Sequence, residues 1–170
     1  MGDWPRLVNL RRCARGYVTN SGAATNTTVS LYNNSSSAEL LLIWQINNDS
    51  TSQAQMQWSY QQLAPFTTTF TPAAIVPGDA PPPGIISTGD LATELPFDTL
   101  LEGFQQGQYW PATFPFAVLL PGWALVGQPQ GGGTGQIGAN FFWEAILSKY
   151  FDRMHSALCV ELELQEDSES

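Results

Sequence analysis

The sequence predicts an all-β protein: an antiparallel β-sandwich or jelly roll with an N-terminal arm and a short C-terminal helix-strand extension. Short runs of the chain alternate polar and apolar residues at period two, and clusters of Gly, Pro, Asn and Ser separate them at regular spacing. Only 12% of the 170 residues are charged, about half the usual quarter. We predict an arm at 1–16, a β-sandwich domain at 17–146 and an extension at 147–170 that holds a helix, a strand and an acidic tail.

The first half of the chain holds several predicted strands. Residues 38–46 are apolar on both faces, which predicts a central strand covered on both sides, by a second sheet or by a neighbouring subunit. In 53–62 aromatic and other apolar residues alternate with Gln and Ser, which predicts a half-buried strand with a glutamine face toward water. We also predict a strand at 27–32, a turn at 33–37, and a loop or weak strand at 17–28.

Residues 116–146 predict one β-hairpin, with two apolar runs around the glycine-rich loop at 131–135. Pro121 and Gly122 predict a bend or turn in the first arm. In the second arm, four side chains share one face at period two: Ile137, Ala139, Phe141 and Trp143. An isolated hairpin is only marginally stable in water, so the rest of the chain must supply a second layer.

The remaining segments are less regular. Five prolines in 72–89 predict a long extended loop with polyproline character, and such a loop is usually functional or held by a partner. Residues 91–104 are apolar without a clean period, which fits a short helix or a covering loop. Alternation at 158–164 predicts a last strand with an acidic face. A helix of about three turns is predicted by the helical spacing of Trp143, Ile146, Leu147, Tyr150, Phe151 and Met154.

No motif in the chain predicts catalysis. His155 is the only histidine, so a histidine metal cluster is excluded, and no Ser or Cys nucleophile stands in a recognisable motif with it. Carboxylates on predicted loops, such as Asp98 and Glu102, do not establish the paired geometry that a glycosidase requires. The glycine-rich loop lacks the Lys-Ser/Thr ending of a P-loop. We therefore predict a protein that is not an enzyme, with no catalytic residue, metal or cofactor.

The charge distribution bears on partners. The net charge of −9 predicts repulsion from nucleic acid and from anionic lipid. Four of the six basic residues lie near the N-terminus, whereas the C-terminus is acidic, which favours contacts between subunits or with a partner; the alternative is two solvated termini. No apolar run reaches about 18 residues, and the first residues lack the apolar core of a signal peptide, so we expect neither a membrane span nor export by that route.

The cysteines and the loop aromatics suggest little chemistry. Cys13 and Cys159 do not form a disulfide framework or a metal-ligand pattern, and in a reducing cytosol they are expected to be free thiols. Most tryptophans lie in predicted strands and are expected in the core. Tyr109 and Trp110, which lie in a Gly/Gln-rich turn, are the candidates for an exposed ligand platform.

Two patterns resemble those of a known group of proteins. Residues 29–34, VSLYNN, followed by 35–42, SSSAELLL, resemble the strand, Asn-Pro/Ser turn, strand opening of small β-sandwich virion proteins of tailed bacteriophages. A later proline-glycine-tryptophan segment, a strand, a glycine-rich turn and a strand ending in Trp-Glu also recur in those proteins. Here that pattern runs from Pro121 to Glu144. The resemblance covers about 27–145; Asn34 stands where a proline is frequent, and the chain after Ile146 is not part of the pattern.

The resemblance implies a non-enzymatic structural subunit of a tailed-phage virion that is assembled in the host cytoplasm. We expect a capsid decoration or cement protein that contacts the major capsid protein and forms a homo-oligomer, with a trimer favoured by the resemblance. The alternative function is a tail-associated receptor-binding or carbohydrate-binding module, which would use the aromatic platform.

The two ends of the chain are the expected contact regions. The strand at 158–164 can pair with a sheet edge of a neighbouring subunit by strand addition, or it can fold back on its own sheet. Apolar burial must supply the affinity, because exposed ion pairs add only about 0.2–1 kcal/mol each. The expected contact residues are Arg6, Arg11, Arg12, Arg15, Phe151, Met154, Leu158, Val160 and Leu162.

Overall fold

The chain forms a β-sandwich of two antiparallel sheets, which confirms the predicted all-β class. The computed structural model describes residues 9–21, 26–36, 38–50, 56–91, 101–104, 115, 117–129 and 136–151, with the backbone alone at 49–50 and 101–104. A single 3-10 turn, Leu10–Arg12, precedes the first strand, and a helical turn at 148–151 follows the last one.

The strands are numbered in chain order. They are β1 (Cys13–Asn20), β2 (Thr27–Tyr32), β3 (Glu39–Ser50), β4 (Met56–Gln61), β5 (Thr68–Phe70), β6 (Ala73–Ala74), β7 (Ile85–Asp90), β8 (Leu101–Phe104), β9 (Ala117–Leu119), β10 (Ala124–Pro129) and β11 (Ile137–Leu147). Sheet A has the order β6-β1-β11-β3-β9, and sheet B has the order β5-β7-β2-β10-β4-β8. Neighbouring strands are antiparallel in every described pair.

The core lies between the inner faces of the two sheets. Trp58 of β4 and Phe141 of β11 meet edge to face, with ring centroids 5.6 Å apart and an interplanar angle of 86°, which is a favourable aromatic geometry. The shared face predicted for β11 is confirmed and points into the core, because Ile137, Ala139, Phe141 and Trp143 are all fully buried. Gly127 leaves room for this packing, since a Cβ there would lie 2.7 Å from the Trp58 ring.

The hairpin predicted for 116–146 is wrong. β10 lies in sheet B between β2 and β4, whereas β11 lies in sheet A between β1 and β3. Each strand thus has two distant partners instead of pairing with the other, and all six residues of β10 are buried. The predicted turn at Pro121 and Gly122 is confirmed: Gly122 has φ +80°, and the Trp123 N–H donates to the Leu120 carbonyl oxygen at 3.1 Å.

β3 is an interior strand of sheet A, as predicted for 38–46. Leu41 and Ile43 belong to the core, while Leu40 and Leu42 alternate with them and are buried as well, so the strand is covered on both sides. Its pairing with β11 shifts between Phe142 and Trp143, which leaves one additional residue, Trp44, on β3. This bulge turns the Trp44 side chain outward beside that of Gln45.

The solvated glutamine face predicted for β4 is wrong. Ser59 is fully buried and Gln57 is 9% exposed, because this outer face of sheet B is covered. The segment after β4 crosses it: the Phe66 N–H donates to Ser87 Oγ at 3.1 Å, and a Cβ on Gly89 would lie 2.6 Å from the Phe66 ring. Alternating polarity predicts exposure only where no loop packs over the polar face.

Several predicted boundaries differ from the structure. β1 begins at Cys13, inside the predicted 1–16 arm, and replaces much of the loop or weak strand predicted at 17–28. β7 occupies the end of the proline-rich segment that was predicted as a loop throughout, because Ile85–Asp90, which contains the β-branched residues Ile85, Ile86 and Thr88, pairs with β2. β8 is a strand where a helix or covering loop was predicted.

The predicted C-terminal helix begins later than its spacing suggested. β11 continues through Leu147, so Trp143 and Ile146 are strand residues, and the helical turn begins at Ser148. Pairing with the apolar start of β3 explains the longer strand, since Ile146 and Leu147 lie opposite Leu40 and Glu39. The predicted strand at 158–164 and the acidic tail lie outside the described residues.

Candidate functional site

The N-terminal segment packs on one half of the outer face of sheet A. The backbone N–H of Asn9 donates to Glu144 Oε1 at 2.8 Å, and Trp44 Nε1 donates to the other carboxyl oxygen of Glu144 at 3.2 Å. The Cys13 thiol donates to the Asn9 carbonyl oxygen at 3.3 Å. Glu144 is only 2% exposed as a result, so this carboxyl group holds the start of the described chain against the sheet.

Burial sets the protonation of this cluster. It raises the pKa of Glu144, although the hydrogen bonds from Asn9 and Trp44 act in the opposite direction. Burial, and then the negative charge of Glu144, raise the pKa of Cys13 to about 12. A thiol with such a pKa stays protonated near neutral pH and is a poor nucleophile. The cluster therefore has a structural role, and Cys13 is a free buried thiol, while Cys159 lies outside the described residues.

The predicted contact arginines are distributed around this segment. Arg12 forms an ion pair with Glu39 at the start of β3, and its side chain is 40% exposed, so the pair adds little stability. Arg11 and Arg15 are exposed on the 3-10 turn and on β1. Arg6 lies outside the described residues. The role of these arginines in contacts between subunits stays a prediction.

The other half of the outer face of sheet A is open to solvent. Direct cross-strand pairs place Arg15 opposite Phe142 and Tyr17 opposite Asn140, and Asn140 is in turn opposite Asn47 of β3. Opposite residues share a face, and this face points away from the core because Ala14, Val18 and Phe141 point into it. We call the surface formed by Arg15, Tyr17, Thr19, Gln45, Asn47, Asn140 and Phe142 the open face.

Tyr17 is the most exposed aromatic residue of the open face, at 47%. Its ring reaches across the neighbouring strand above Gly138, where a Cβ would lie 2.7 Å from the phenol oxygen and 3.2 Å from two ring carbons. The absence of a side chain at Gly138 therefore lets the ring lie close to the sheet. Beside it, Gln136 Nε2 donates to Thr19 Oγ1 at 3.2 Å, and the Thr19 hydroxyl donates to the Ile137 carbonyl oxygen at 3.3 Å.

A second surface lies at the end of the sandwich where β3 begins, which we call the Glu39 end. Leu147 is opposite Glu39, Leu120 follows β9 beside β3, and the Ser148 N–H donates to the Ala38 carbonyl oxygen at 2.8 Å. Four of the five exposed large apolar side chains of the described chain lie on segments that meet there, with exposed fractions of 36–53%: Leu10, Leu120, Leu147 and Tyr150.

The structure describes few of the other predicted site residues. Phe151 is half-buried in the helical turn that leaves the Glu39 end. Four predicted contact residues and both residues of the predicted ligand platform lie outside the described residues: Met154, Leu158, Val160, Leu162, Tyr109 and Trp110. Sequence reasoning missed the open face, although the alternation of Arg15, Tyr17 and Thr19 was a signal for it.

The described part of the chain offers no metal site, since no group of three or more His, Cys, Asp or Glu side chains within it could hold an ion. Within the same residues, no helix has both the length and the apolar character needed to cross a bilayer. Comparison with protein-family models, with curated proteins and with solved structures finds no match to this chain.

Proposed function

We propose that the chain is a non-enzymatic structural subunit of a tailed-phage virion, a capsid decoration or cement protein that stabilises the particle through contacts between subunits. The order of the strands carries the proposal. β5, β6 and β7 all lie between β4 and β8 in the chain. Without them, sheet A has the order β1-β11-β3-β9 and sheet B has the order β2-β10-β4-β8.

We assign these eight strands to a jelly roll. All but one of the connections between them cross from one sheet to the other, and only β4 and β8, which pair with each other, follow in the same sheet. Two Greek keys wound in this way form the jelly roll that is common in viral capsid proteins and in lectins. The same assignment explains why β10 and β11 do not pair.

One fold serves many functions, so a surface feature has to support the choice of a structural subunit. The Glu39 end supplies it. Leu10, Leu120, Leu147 and Tyr150 expose apolar surface at one end of the sandwich, and grouped exposed apolar side chains are typical of protein–protein contacts. The low charge content of the chain fits a subunit that buries much of its surface against neighbours.

The proposed assembly is a homo-oligomer, with a trimer favoured by the resemblance to phage virion proteins. The helical turn at 148–151 leaves the Glu39 end, so the C-terminal segment begins beside the exposed apolar side chains. In this proposal Met154, Leu158, Val160 and Leu162 of one subunit bury apolar surface against its neighbour, at about 25 cal/mol per Å² removed from water. Arg11, exposed on the 3-10 turn beside Leu10, would then face the acidic tail.

Mass spectrometry and electron microscopy of purified particles test the virion assignment. We expect the protein in the head at a copy number that matches the capsid symmetry. Absence from particles, together with abundance as a free soluble monomer, would refute it.

Light scattering of the full chain tests the assembly. We expect Leu120→Asp with Leu147→Asp, or deletion of 157–170, to reduce the oligomer to monomers. Tyr17→Asp, which changes an exposed residue far from the Glu39 end, is the matched control and should keep the oligomer. An unchanged mass after the deletion would exclude the C-terminal role.

A further inference from the structure

The open face of sheet A combines aromatic, amide and hydroxyl side chains on one surface. Sheet B offers no equivalent, because its outer face is covered: Ser30, Ser59 and Ser87 are at most 1% exposed. The other half of the outer face of sheet A, around Glu144, is covered by the N-terminal segment, whose Asn9 N–H is hydrogen-bonded to the Glu144 carboxyl group. The region around Tyr17 and Asn140 presents aromatic and amide side chains together to solvent, and both of these residues are exposed.

We infer that the open face is an oligosaccharide-binding site in which Tyr17 provides the stacking surface. One face of a sugar ring presents C–H groups, which pack well on an aromatic ring, while its edge presents hydroxyl groups. Because the Tyr17 ring lies low over Gly138 and is 47% exposed, it offers a stacking surface next to the sheet. A flat sheet face also admits a chain of sugars without requiring a deep pocket.

Amide side chains surround this ring at the positions where sugar hydroxyls would lie. Asn140 is directly opposite Tyr17, and Asn47 is opposite Asn140 on the next strand, about 4.7–4.9 Å further across the sheet. A carboxamide both donates and accepts hydrogen bonds, so it can pair with two neighbouring hydroxyl groups. Thr19, whose hydroxyl is already oriented by Gln136 and the Ile137 carbonyl group, extends this polar rim.

Two further aromatic residues border the same face. Phe142 lies two residues along β11 from Asn140. The bulge of β3 places Trp44 next to Gln45, the residue opposite Phe142. The side chains of Phe142 and Trp44 are both half-buried. The hydrogen bond from Trp44 Nε1 to Glu144 fixes the indole ring in place. Aromatic side chains thus occur on three adjacent strands, β1, β11 and β3, at or beside the open face, which suits successive sugar rings of a chain better than a single small ligand.

The charges of the open face favour a neutral or acidic glycan over other partners. Arg15, opposite Phe142, is the one charged residue among the seven that define the open face; the register continues to Asp49 of β3, opposite Gly138, and Glu144 at the border of the face is buried and hydrogen-bonded. Nucleic acid is disfavoured because one arginine cannot offset the net charge of −9. Arg15 can bind a carboxylate-bearing sugar, so neutral and acidic glycans form two arms of one experiment.

The experiment presents the full chain to an array of neutral and acidic glycans, followed by NMR titration with the best binder. We expect chemical-shift changes centred on 15–19, 45–47 and 138–142, and roughly ten-fold weaker binding for Tyr17→Ala, as expected for about 1.4 kcal/mol of lost stacking. Thr68→Ala changes an exposed side chain on β5, outside both the open face and the Glu39 end, and should leave binding unchanged.

Gly138→Ala provides an independent variant, because its Cβ would displace the flexible Tyr17 ring without removing it. It should weaken binding while the thermal unfolding curve stays close to that of the parent. Arg15→Gln should weaken only acidic glycans. Binding to no glycan in either arm would overturn the proposal, as would binding that survives Tyr17→Ala and Gly138→Ala but is lost with Trp110→Ala. Loss of oligomer mass in Tyr17→Ala would instead make the face a contact between copies.

Discussion

The indole N–H of Trp143 donates a hydrogen bond to the backbone carbonyl oxygen of Pro83 across 2.9 Å. Trp143 is a fully buried residue of sheet A, whereas Pro83 lies in the proline-rich segment that leads into β7 of sheet B. The Gly84 N–H donates to Asn34 Oδ1 at 2.7 Å, which holds the same segment from the other side. These contacts fix the end of the proline-rich segment against the core.

Gly84 allows this contact, and its replacement should be costly. A Cβ there would lie 2.9 Å from three atoms of the Trp143 ring, and the residue has φ +143°. We expect Gly84→Ala to lower the free energy of unfolding by about 2–5 kcal/mol, combining backbone strain of about 1–2 kcal/mol with overpacking of about 1–3 kcal/mol. Gly78→Ala is the control, since Gly78 also has positive φ but nothing lies near its Cβ position. If urea unfolding showed the same loss of unfolding free energy for Gly84→Ala and Gly78→Ala, the contribution of the indole contact would be refuted.

Phe141 joins the two sheets through Trp58, so its truncation should be among the more damaging changes. We expect Phe141→Ala to lower the free energy of unfolding by about 3–5 kcal/mol, through lost burial and the cavity that remains. Phe142→Ala alters the next residue, which is half-buried on the opposite face, and should cost less than half as much. Chemical denaturation of both variants distinguishes the faces; similar midpoints would mean that the inward assignment of Phe141 is wrong.

Asn33 ties the turn before β3 to the neighbouring edge strand. Its fully buried side chain donates to the carbonyl oxygens of Glu39 and Leu119, at 2.9 and 3.0 Å, and accepts from the Ser35 N–H at 2.9 Å. We expect Asn33→Ala to cost about 2–4 kcal/mol, because each buried polar group left without a partner costs about 1–3 kcal/mol. Asn140→Ala on the open face is the control and should change the melting temperature little. If Asn33→Ala and Asn140→Ala lowered the melting temperature by similar amounts, Asn33 would not tie the turn to the edge strand.

The buried carboxyl group of Glu144 predicts a pH dependence of stability. Its pKa in the folded protein is raised above the ordinary value of 4.5, so the folded state holds the proton to a higher pH than the unfolded state does. The free energy of unfolding should therefore fall as pH rises from about 4.5 through the raised pKa, and then level off. Urea titrations from pH 4 to pH 8 measure the slope of the free energy of unfolding against pH.

Glu144→Gln is the variant that isolates this effect. It removes the titrating group and should flatten the slope over the same pH range, although it leaves one of the two donors, Asn9 or Trp44, without a good acceptor. A pH dependence that is unchanged in Glu144→Gln would assign the slope to another group. Asp90→Asn, on an exposed carboxylate, serves as the control.

The thiol of Cys13 should resist modification in the folded protein. With a pKa of about 12, its thiolate fraction at pH 8 is roughly 10³-fold below that of an ordinary cysteine, and the sulfur is fully buried. In a Cys159→Ser background, we expect Ellman's reagent to release almost no colour until denaturant is added. Rapid reaction of the native protein would show that the N-terminal segment opens readily.

The alternating patterns of β2, β4 and β11 predicted strands correctly, because period two depends on local order alone. The hairpin prediction failed because the partners of β10 and β11 lie far away in the chain. β1 was predicted only as arm and as loop or weak strand, because it contains Arg15, Gly16 and Asn20, which are not typical strand residues. A glycine fits at position 16 because a Cβ there would lie 1.8 Å from Ile86 Cδ1.

The surfaces were harder to predict than the strands. The burial of Gln57 depends on what covers the outer face of sheet B, and the position of the Tyr17 ring depends on Gly138, far along the chain. Neither relationship is visible in a local pattern. The burial of Glu144 was likewise not predicted, because its partners, Asn9 and Trp44, meet it only in the folded chain.

The pairing of β1 with β11 has a consequence for synthesis on the ribosome. The full pairing runs from Cys13 with Glu144 to Asn20 with Ile137, so the first of the described strands to be made must await the last of them. At about 5–20 residues per second, β1 emerges roughly 10 s before its partner does. During that interval only the two-residue strand β6, which pairs with Ala14 and Arg15, is available to its backbone donors and acceptors. The nascent chain should therefore depend on chaperones, and a translational pause after β11 should help little, whereas faster elongation should raise the yield of folded protein.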